Sequence, residues 1–318
     1  VLKVGDHVNH CFLVVDCQEL KTKYGKLYLS LNVKNRLLEC GVKIWDWESI
    51  KSTLSKHPTT GCFVKITGTV ESYQGMIQIK TEQIEVIEEG EVDPSEIYAT
   101  PGIALEEMEN RLKQYLGMIK NPVLKDLCQA VITNKELYQL LITRPAAIRN
   151  HHETYHGLLS HIVSMMGAAV ALQAHYHFLS LDLLLAGALF HDLGKVVEIN
   201  DIKEGGYSTK GRLLGHMDIG TALIDRFAEK TGHKGKEEVD LLKHLVLSHH
   251  GKLEWGSPIE PRIPEAMALH MIDYMDAQFY NIFKQLKETP PGEWTSNRSQ
   301  SLFKHSLSPV DQLDHYHK

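Results

Sequence analysis

From Val1 to about Glu89 the apolar positions alternate with polar ones. Leu27, Leu29, Leu31 and Val33 are interleaved with Tyr28, Ser30 and Asn32, the period of a strand with one buried face. Phe63-Val64-Lys65-Ile66-Thr67-Gly68-Thr69-Val70 and Met76-Ile77-Gln78-Ile79-Lys80 flank Gln74-Gly75, as the arms of a hairpin flank its turn. With Phe12-Leu13-Val14-Val15 and Val42-Lys43-Ile44-Trp45, about five strands are predicted, enough for a small barrel. Glu88 to Thr100, with Pro94 and Pro101 and a run of acids, reads as a linker. From Ile103 the period becomes helical. Leu105, Met108, Leu112, Tyr115, Leu116 and Ile119 form one stripe, and similar stripes recur through residues 123–143, 157–174, 181–195, 213–230, 237–250 and 264–287, predicting an all-helical second domain. Residues after Pro290-Pro291, rich in Ser, Asn and His, are expected to be extended. The predicted layout is a barrel over 1–90, a linker over 91–101, a helical domain over 102–290 and a tail over 291–318.

Composition changes this picture little. With 43% apolar and 23% charged residues in 318, the chain has the make-up of a soluble globular protein. A net charge of −6 argues against a strongly basic duplex binder, so nucleic-acid contact would have to come from a local patch or from stacking. Residues 1–90 carry 11 Lys and Arg against 11 Asp and Glu, which leaves the whole negative excess to the helical part. The cysteines Cys11, Cys17, Cys40, Cys62 and Cys128 form no C-x-x-C pair. Buried thiols in a reduced, cytoplasmic protein are the expectation, with a zinc site as the alternative. No stretch is expected to approach the roughly 18 apolar residues of a membrane span, and the start has no signal-peptide layout.

Candidate chemistry changes it more. His191-Asp192 ends the apolar run Leu183 to Phe190 and is followed by Leu193-Gly194-Lys195; His161 precedes it, and His216, His249-His250 and Asp273 follow. Each lies on or beside its own apolar segment. Imidazole and carboxylate drawn from separate helices are how a helical bundle builds a metal site in its core.

The order His161, His191-Asp192, Asp273, with the HD-x-GK form of His191-Asp192-Leu193-Gly194-Lys195, resembles the HD-domain metal-dependent phosphohydrolases, an all-helical superfamily. A nucleic-acid-binding OB barrel followed by an HD domain is similar to the YhaM-type 3′→5′ exoribonucleases. The segments Gly211-Arg212-Leu213-Leu214-Gly215-His216, Ser248-His249-His250-Gly251, Gly256-Ser257-Pro258 and Ala268-Leu269-His270-Met271-Ile272-Asp273 look like that family's signatures. The fold implied is an N-terminal all-β OB barrel followed by an all-α HD bundle. HD-GYP cyclic-dinucleotide phosphodiesterases use similar ligands, but Gly251-Lys252-Leu253-Glu254-Trp255-Gly256-Ser257-Pro258 contains no GYP triplet, which ranks that activity lower.

Phosphodiester hydrolysis builds negative charge beside an already negative phosphate, and two metals about 3.5–4 Å apart meet this by activating water and holding the phosphoryl oxygens. On the resemblance, His161, His191, Asp192 and Asp273 hold one ion, and Asp192 bridges to a second held by His216, His249 and His250. A single ion, with the remaining histidines on phosphate, is the alternative. A His-rich shell favours Mn, Fe, Co or Ni over Mg, and the resemblance implies Mn²⁺. Asp192, Lys195 and Arg212 are the candidate catalytic residues. Lys195 lies four residues after His191 and Arg212 four before His216, one helical turn each, and both are candidate phosphate ligands. The plain alternative for either is a solvated surface cation. His151, His152, His156, His244 and His270 are expected to be surface or supporting residues; Asp276 rivals Asp273, and Glu254 is a candidate proton donor. In the barrel, Tyr24, Tyr28, Tyr73 and Trp45 could stack single-stranded bases, with Lys21, Lys23, Lys26 and Lys34 drawing the backbone. Lys23, Tyr24, Lys26 and Tyr28 are the named nucleic-acid contacts.

The leading expectation is an exoribonuclease releasing nucleoside 5′-monophosphates from single-stranded RNA. Single-stranded DNA is a second candidate strand, no membrane partner is expected, and a homo-oligomer is suggested by the resemblance alone. A nucleotide or cyclic-dinucleotide phosphohydrolase with a regulatory barrel is the second reading. A nucleic-acid-binding protein with an inactive HD fold is the third, and the intact ligand set speaks against it.

Overall fold

Five strands, β1 (His7–Lys21), β2 (Leu27–Lys34), β3 (Glu39–Ile44), β4 (Phe63–Tyr73) and β5 (Met76–Ile87), close into a barrel in the order β1-β2-β3-β5-β4. The computed structural model describes residues 3–148, 153–201, 205–287 and 289–295. His151, His152 and the expected tail from residue 296 lie outside them. The chain divides into two units, Val1–Thr100 and Pro101–Lys318.

Closure depends on β1, which pairs with β4 through His7 to Leu13 and with β2 through Leu13 to Lys21, with a register slip between Val14 and Asp16. Such a bulge bends a strand so that one sheet can curl onto itself. The predicted alternation holds: Leu29, Leu31, Val33, Val42, Ile66 and Ile79 point inward and are buried. At the predicted hairpin turn both Gln74 (φ 50) and Gly75 (φ 79) have positive φ, as a type I′ turn requires. The N-terminal unit is therefore an OB-like five-strand barrel.

Two features depart from the sequence expectation. A helix α1 (Trp47–Thr53) follows β3, with Trp47 in the barrel core and its indole N–H donating to Glu19 (2.9 Å). The expected linker, residues 91–101, is not simply a connection. It contains the short helix α2 (Pro94–Ile97), whose N-terminus is capped by Asp93 accepting from the Ser95 amide (2.8 Å), and Val92 and Ile97 bury against Leu13 and Phe63. Asp93-Pro94 thus starts a helix, since Asp suits the cap and Pro the first helical position.

The second unit holds α3 (Leu105–Gly117), α4 (Pro122–Thr133), α5 (Lys135–Thr143), α6 (Gly157–His175), α7 (Leu181–Phe190), α8 (Lys195–Glu198), α9 (Thr209–Thr231), α10 (Glu237–Ser248) and α11 (Pro264–Lys287). The stripe at 123–143 is two helices, because Asn134 ends α4 and caps α5 by accepting from the Leu137 amide (3.2 Å). Leu183 to Phe190 are buried on every side, so α7 is the central helix. Gly187 lets its neighbours close in, since a Cβ there would stand 2.5 Å from Leu245 of α10 and 3.2 Å from Leu269 of α11. Contrary to the sequence expectation, Gly157–His175 is long and apolar enough to cross a membrane, but 56% of that window is buried inside the fold, as for a core helix. Inside α9, Gly215 (φ 74, ψ 161) is not helical and breaks the helix just before His216.

Candidate metal centre

The ends and interiors of five helices bring the predicted ligands to one place. His161 comes from α6, His191 and Asp192 from the end of α7, His216 from α9 just after the Gly215 break, His249 and His250 from the end of α10, and Asp273 from α11. His161 Nε2 lies 3.2 Å from His191 Nε2 and 3.2 Å from Asp273 Oδ1. Asp192 stands between two sets of imidazoles. Its Oδ2 is 3.2 Å from His191 Nε2 and 3.7 Å from His161 Nε2, while its Oδ1 is 3.6 Å from His216 Nε2 and 3.7 Å from His249 Nε2. Ligand atoms of His161, His191 and Asp192 form one close group, and those of His216, His249 and His250 another.

Every one of the five imidazoles is held from behind. Nδ1 of His161 donates to Asp276 (2.7 Å), that of His191 to the Ala188 carbonyl (3.0 Å), that of His216 to Glu198 (3.2 Å), that of His249 to the Val246 carbonyl (2.6 Å) and that of His250 to the Trp255 carbonyl (2.9 Å). A proton committed to Nδ1 leaves the Nε2 lone pair for a cation and fixes the ring's orientation. Ser164 in turn donates to Asp276.

The electrostatics agree with a cation site. Burial alone would raise the pKa of Asp192, but its neighbours, the Lys195 charge first among them, outweigh it and hold the carboxyl well below the usual range. Lys195, largely buried 2.7 Å from Asp192 Oδ2, is opposed by its own burial yet held protonated by that carboxylate. Burial pushes the pKa of His249 well below the usual imidazole range and lowers that of His250 as well. His161 differs: burial disfavours its charge, but the hydrogen bonds to Asp273 and Asp276 prevail and raise its pKa to about 10, so a cation there must displace a proton. Two buried atoms of this cluster, Asp192 Oδ1 and His216 Nε2, are among the buried side-chain atoms of the described residues that lack a hydrogen-bond partner. Buried polar atoms are almost always paired, and an acceptor oxygen beside an imidazole lone pair is satisfied by a metal ion. The residues present therefore fit the metal dependence of an HD domain.

A cavity of about 290 Å³ opens onto this cluster, lined by Asp192, Lys195, His249, His250, Asp273, Trp255, His270, Tyr274 and Ala277. Lys195 is thus at the site, although the helix does not run on from His191: residues 191–194 form a turn and α8 starts at Lys195. Arg212 is not brought to it. The Gly215 break abolishes the one-turn relation to His216, and Arg212 is exposed outside the cavity lining. Glu254 is exposed beside Lys252 (3.7 Å) and does not line the cavity either. His244 accepts from the Arg262 amide (2.9 Å) and His156 contacts the Ile142 carbonyl. His270 donates to the His249 carbonyl (2.8 Å) and packs against Gly251, where a Cβ would come within 2.6 Å of its ring.

Sequence reasoning missed Glu198 and the supporting role of Asp276, because both depend on which side chains meet across the fold. Asp276 was legible only as a rival ligand one turn from Asp273. Replacing Asp276 by Asn is expected to weaken metal binding by about 10–100-fold through loss of the charge behind His161; calorimetric titration with Mn²⁺ reads this, and an unchanged affinity would reduce Asp276 to a packing residue.

In the barrel, Tyr24 is 85% exposed on the β1–β2 turn, with Lys23 Nζ 5.0 Å from its ring centre. Tyr28 lies 4.8 Å from Trp45, centroid to centroid, and Lys43 Nζ is 5.6 Å from Trp45. Lys26 is paired with Asp46 (3.2 Å), which partly neutralises it. Tyr73 is exposed at the β4–β5 tip, and among the described residues no ring contact joins it to the others.

Comparison with known proteins agrees with this arrangement. Residues 158–278 match the HD domain family. Over 313 residues the chain is 34% identical to the 3′-5′ exoribonuclease YhaM of Geobacillus sp. (strain WCH70), covering 97% of this chain and 95% of that protein.

Proposed function

The chain belongs to the YhaM family of 3′-5′ exoribonucleases, and on that premise we propose that it degrades single-stranded RNA from the 3′ end to nucleoside 5′-monophosphates with Mn²⁺. The observation that carries the reading is Asp192, whose two oxygens face separate histidine groups at 3.2 and 3.6 Å at the wall of a cavity fit for a small ligand.

In this reading His161, His191, Asp192 and Asp273 would hold one ion, and Asp192, His216, His249 and His250 would hold a second. When bound, such ions supply charge to the phosphoryl oxygens and lower the pKa of water. The protein's own part is positional. The Nδ1 hydrogen bonds hold five rings in place, Asp276 and Glu198 add basicity, and Lys195 carries positive charge into the cavity wall where a phosphate would lie. The imidazole-rich donor set favours Mn²⁺ over Mg²⁺. Lys23, Tyr24, Lys26 and Tyr28 serve as a stacking and charge patch for the strand, in keeping with OB barrels that bind single strands. The free cysteines suit a reduced cytoplasmic setting.

Digestion of 5′-labelled single-stranded RNA by metal-stripped protein, with Mn²⁺ restored or withheld, tests the proposal. A ladder shortening from the 3′ end only with metal is expected. Intact RNA in the presence of verified bound metal would overturn it and point to a small phosphorylated substrate.

A further inference from the structure

Part of the cavity lining beside the candidate metal ligands is aromatic and half exposed. Trp255 is 47% and Tyr274 53% exposed, and their rings lie 6.0 Å apart with planes only 11° from parallel. Neither is needed to hold the helical core, since both lie outside it. Lys252 Nζ stands 4.8 Å from the centre of the Trp255 ring. Aromatic faces with a nearby ammonium are the make-up of a nucleobase-stacking platform.

This platform is tied to the metal cluster. Tyr274 is the residue after Asp273 on α11, and the Trp255 carbonyl accepts from His250 Nδ1 (2.9 Å). Trp255 belongs to the single turn Leu253–Trp255, reached from His250 through Gly251 (φ 84). The distance from the aromatic wall to the ligands is therefore set by one peptide bond on one side and one hydrogen bond on the other. The lining includes no Asn or Gln that could read a base edge. The cavity, at about 290 Å³, lies at the lower end of small-ligand pockets, about 300 Å³ and upward, so it has room for one nucleotide and not for a run of them.

We propose that Trp255 and Tyr274 seat the base of the 3′-terminal nucleotide while its phosphate reaches the metal ligands. The proposal rests on the exoribonuclease reading and deepens it. Stacking uses the face that all bases share, so the site accepts any base. A base inside a duplex has both faces covered by its neighbours, so the platform takes a base at a strand end or in an unpaired strand.

The test uses the intact, Mn²⁺-loaded protein titrated with adenosine 5′-monophosphate and with ribose 5-phosphate, followed by tryptophan fluorescence and by calorimetry. The nucleotide is expected to quench fluorescence and to bind more tightly than the sugar phosphate. Trp255→Ala should cost about 5- to 150-fold in nucleotide affinity, the range for one lost stack, and leave ribose 5-phosphate binding unchanged. Trp255→Phe should abolish the quenching while keeping most of the affinity, which assigns the signal to Trp255 among four tryptophans. On single-stranded RNA, Tyr274→Ala should raise KM far more than it lowers kcat, with Tyr274→Phe restoring it. Equal affinity for the two ligands, or quenching that persists in Trp255→Phe, overturns the proposal. If the wild-type protein leaves RNA intact, the exoribonuclease reading fails, whereas the nucleotide against sugar-phosphate contrast still decides the platform.

Discussion

Replacing Asp192 by Asn is expected to reduce RNA hydrolysis by at least about 10³-fold, more than the about 10²–10³ lost with a single oxyanion-hole donor, because the side chain is shared by both histidine groups. Its two oxygens stand within 3.2–3.7 Å of four imidazole nitrogens, and Asn offers one weaker, neutral oxygen in their place. The metal content should fall with the activity. Lys195 loses its nearest counter-charge in this variant but keeps those of Asp273 and Glu198, so the fold is expected to survive. A preserved thermal transition, retained RNA binding and elemental analysis of the purified variant separate lost chemistry from lost structure. Turnover near that of the wild type would remove Asp192 from the centre of the site. A wild-type protein that binds one ion per chain would favour a single-metal site in which the remaining histidines contact phosphate.

The class of each half of the chain was legible because binary patterning answers directly to burial. Leu29, Leu31 and Val33 alternate and face one barrel interior, and Leu183 to Phe190 are apolar throughout and form the central helix. The buried clustering of the candidate ligands was legible for a related reason: His161, His191 and Asp192 are polar groups inside apolar runs, and such groups remain buried only with partners. Local signals read against the wrong frame gave the errors. Trp47, Ile50 and Leu54 carry helical spacing, yet they stand among strands and were passed over; all three pack in or against the barrel core. Arg212 sits one turn before His216 only if the helix is continuous, and the left-handed Gly215 makes it discontinuous. Partners such as Glu198 behind His216 and the Trp255 carbonyl behind His250 come from tertiary approach, for which neither periodicity nor spacing has a signal.

Gly194→Ala should be the most damaging substitution that touches no ligand. The glycine of the His-Asp-x-Gly-Lys sequence has ordinary negative φ (−60°), so its requirement is one of space. A Cβ there would come within 2.8 Å of the His216 carbonyl carbon, closer still to its oxygen, and within 2.9 Å of the Gly220 nitrogen. All of these are backbone atoms of α9, and no rotamer change can move them. Either α9 shifts outward, carrying His216 from Asp192, or the turn bearing Asp192 and Lys195 is displaced. Overpacking of this kind costs about 1–3 kcal/mol, occasionally more, and a misplacement of about 1 Å at a reacting centre costs about 10²-fold in rate. The variant is therefore expected to melt several degrees lower and to lose at least about 10²-fold in kcat, with Mn²⁺ binding weakened at the His216 side first. Thermal denaturation and single-turnover digestion on the same preparation check both effects. Wild-type melting and turnover would mean that α9 yields freely and that its close approach has no part in holding His216.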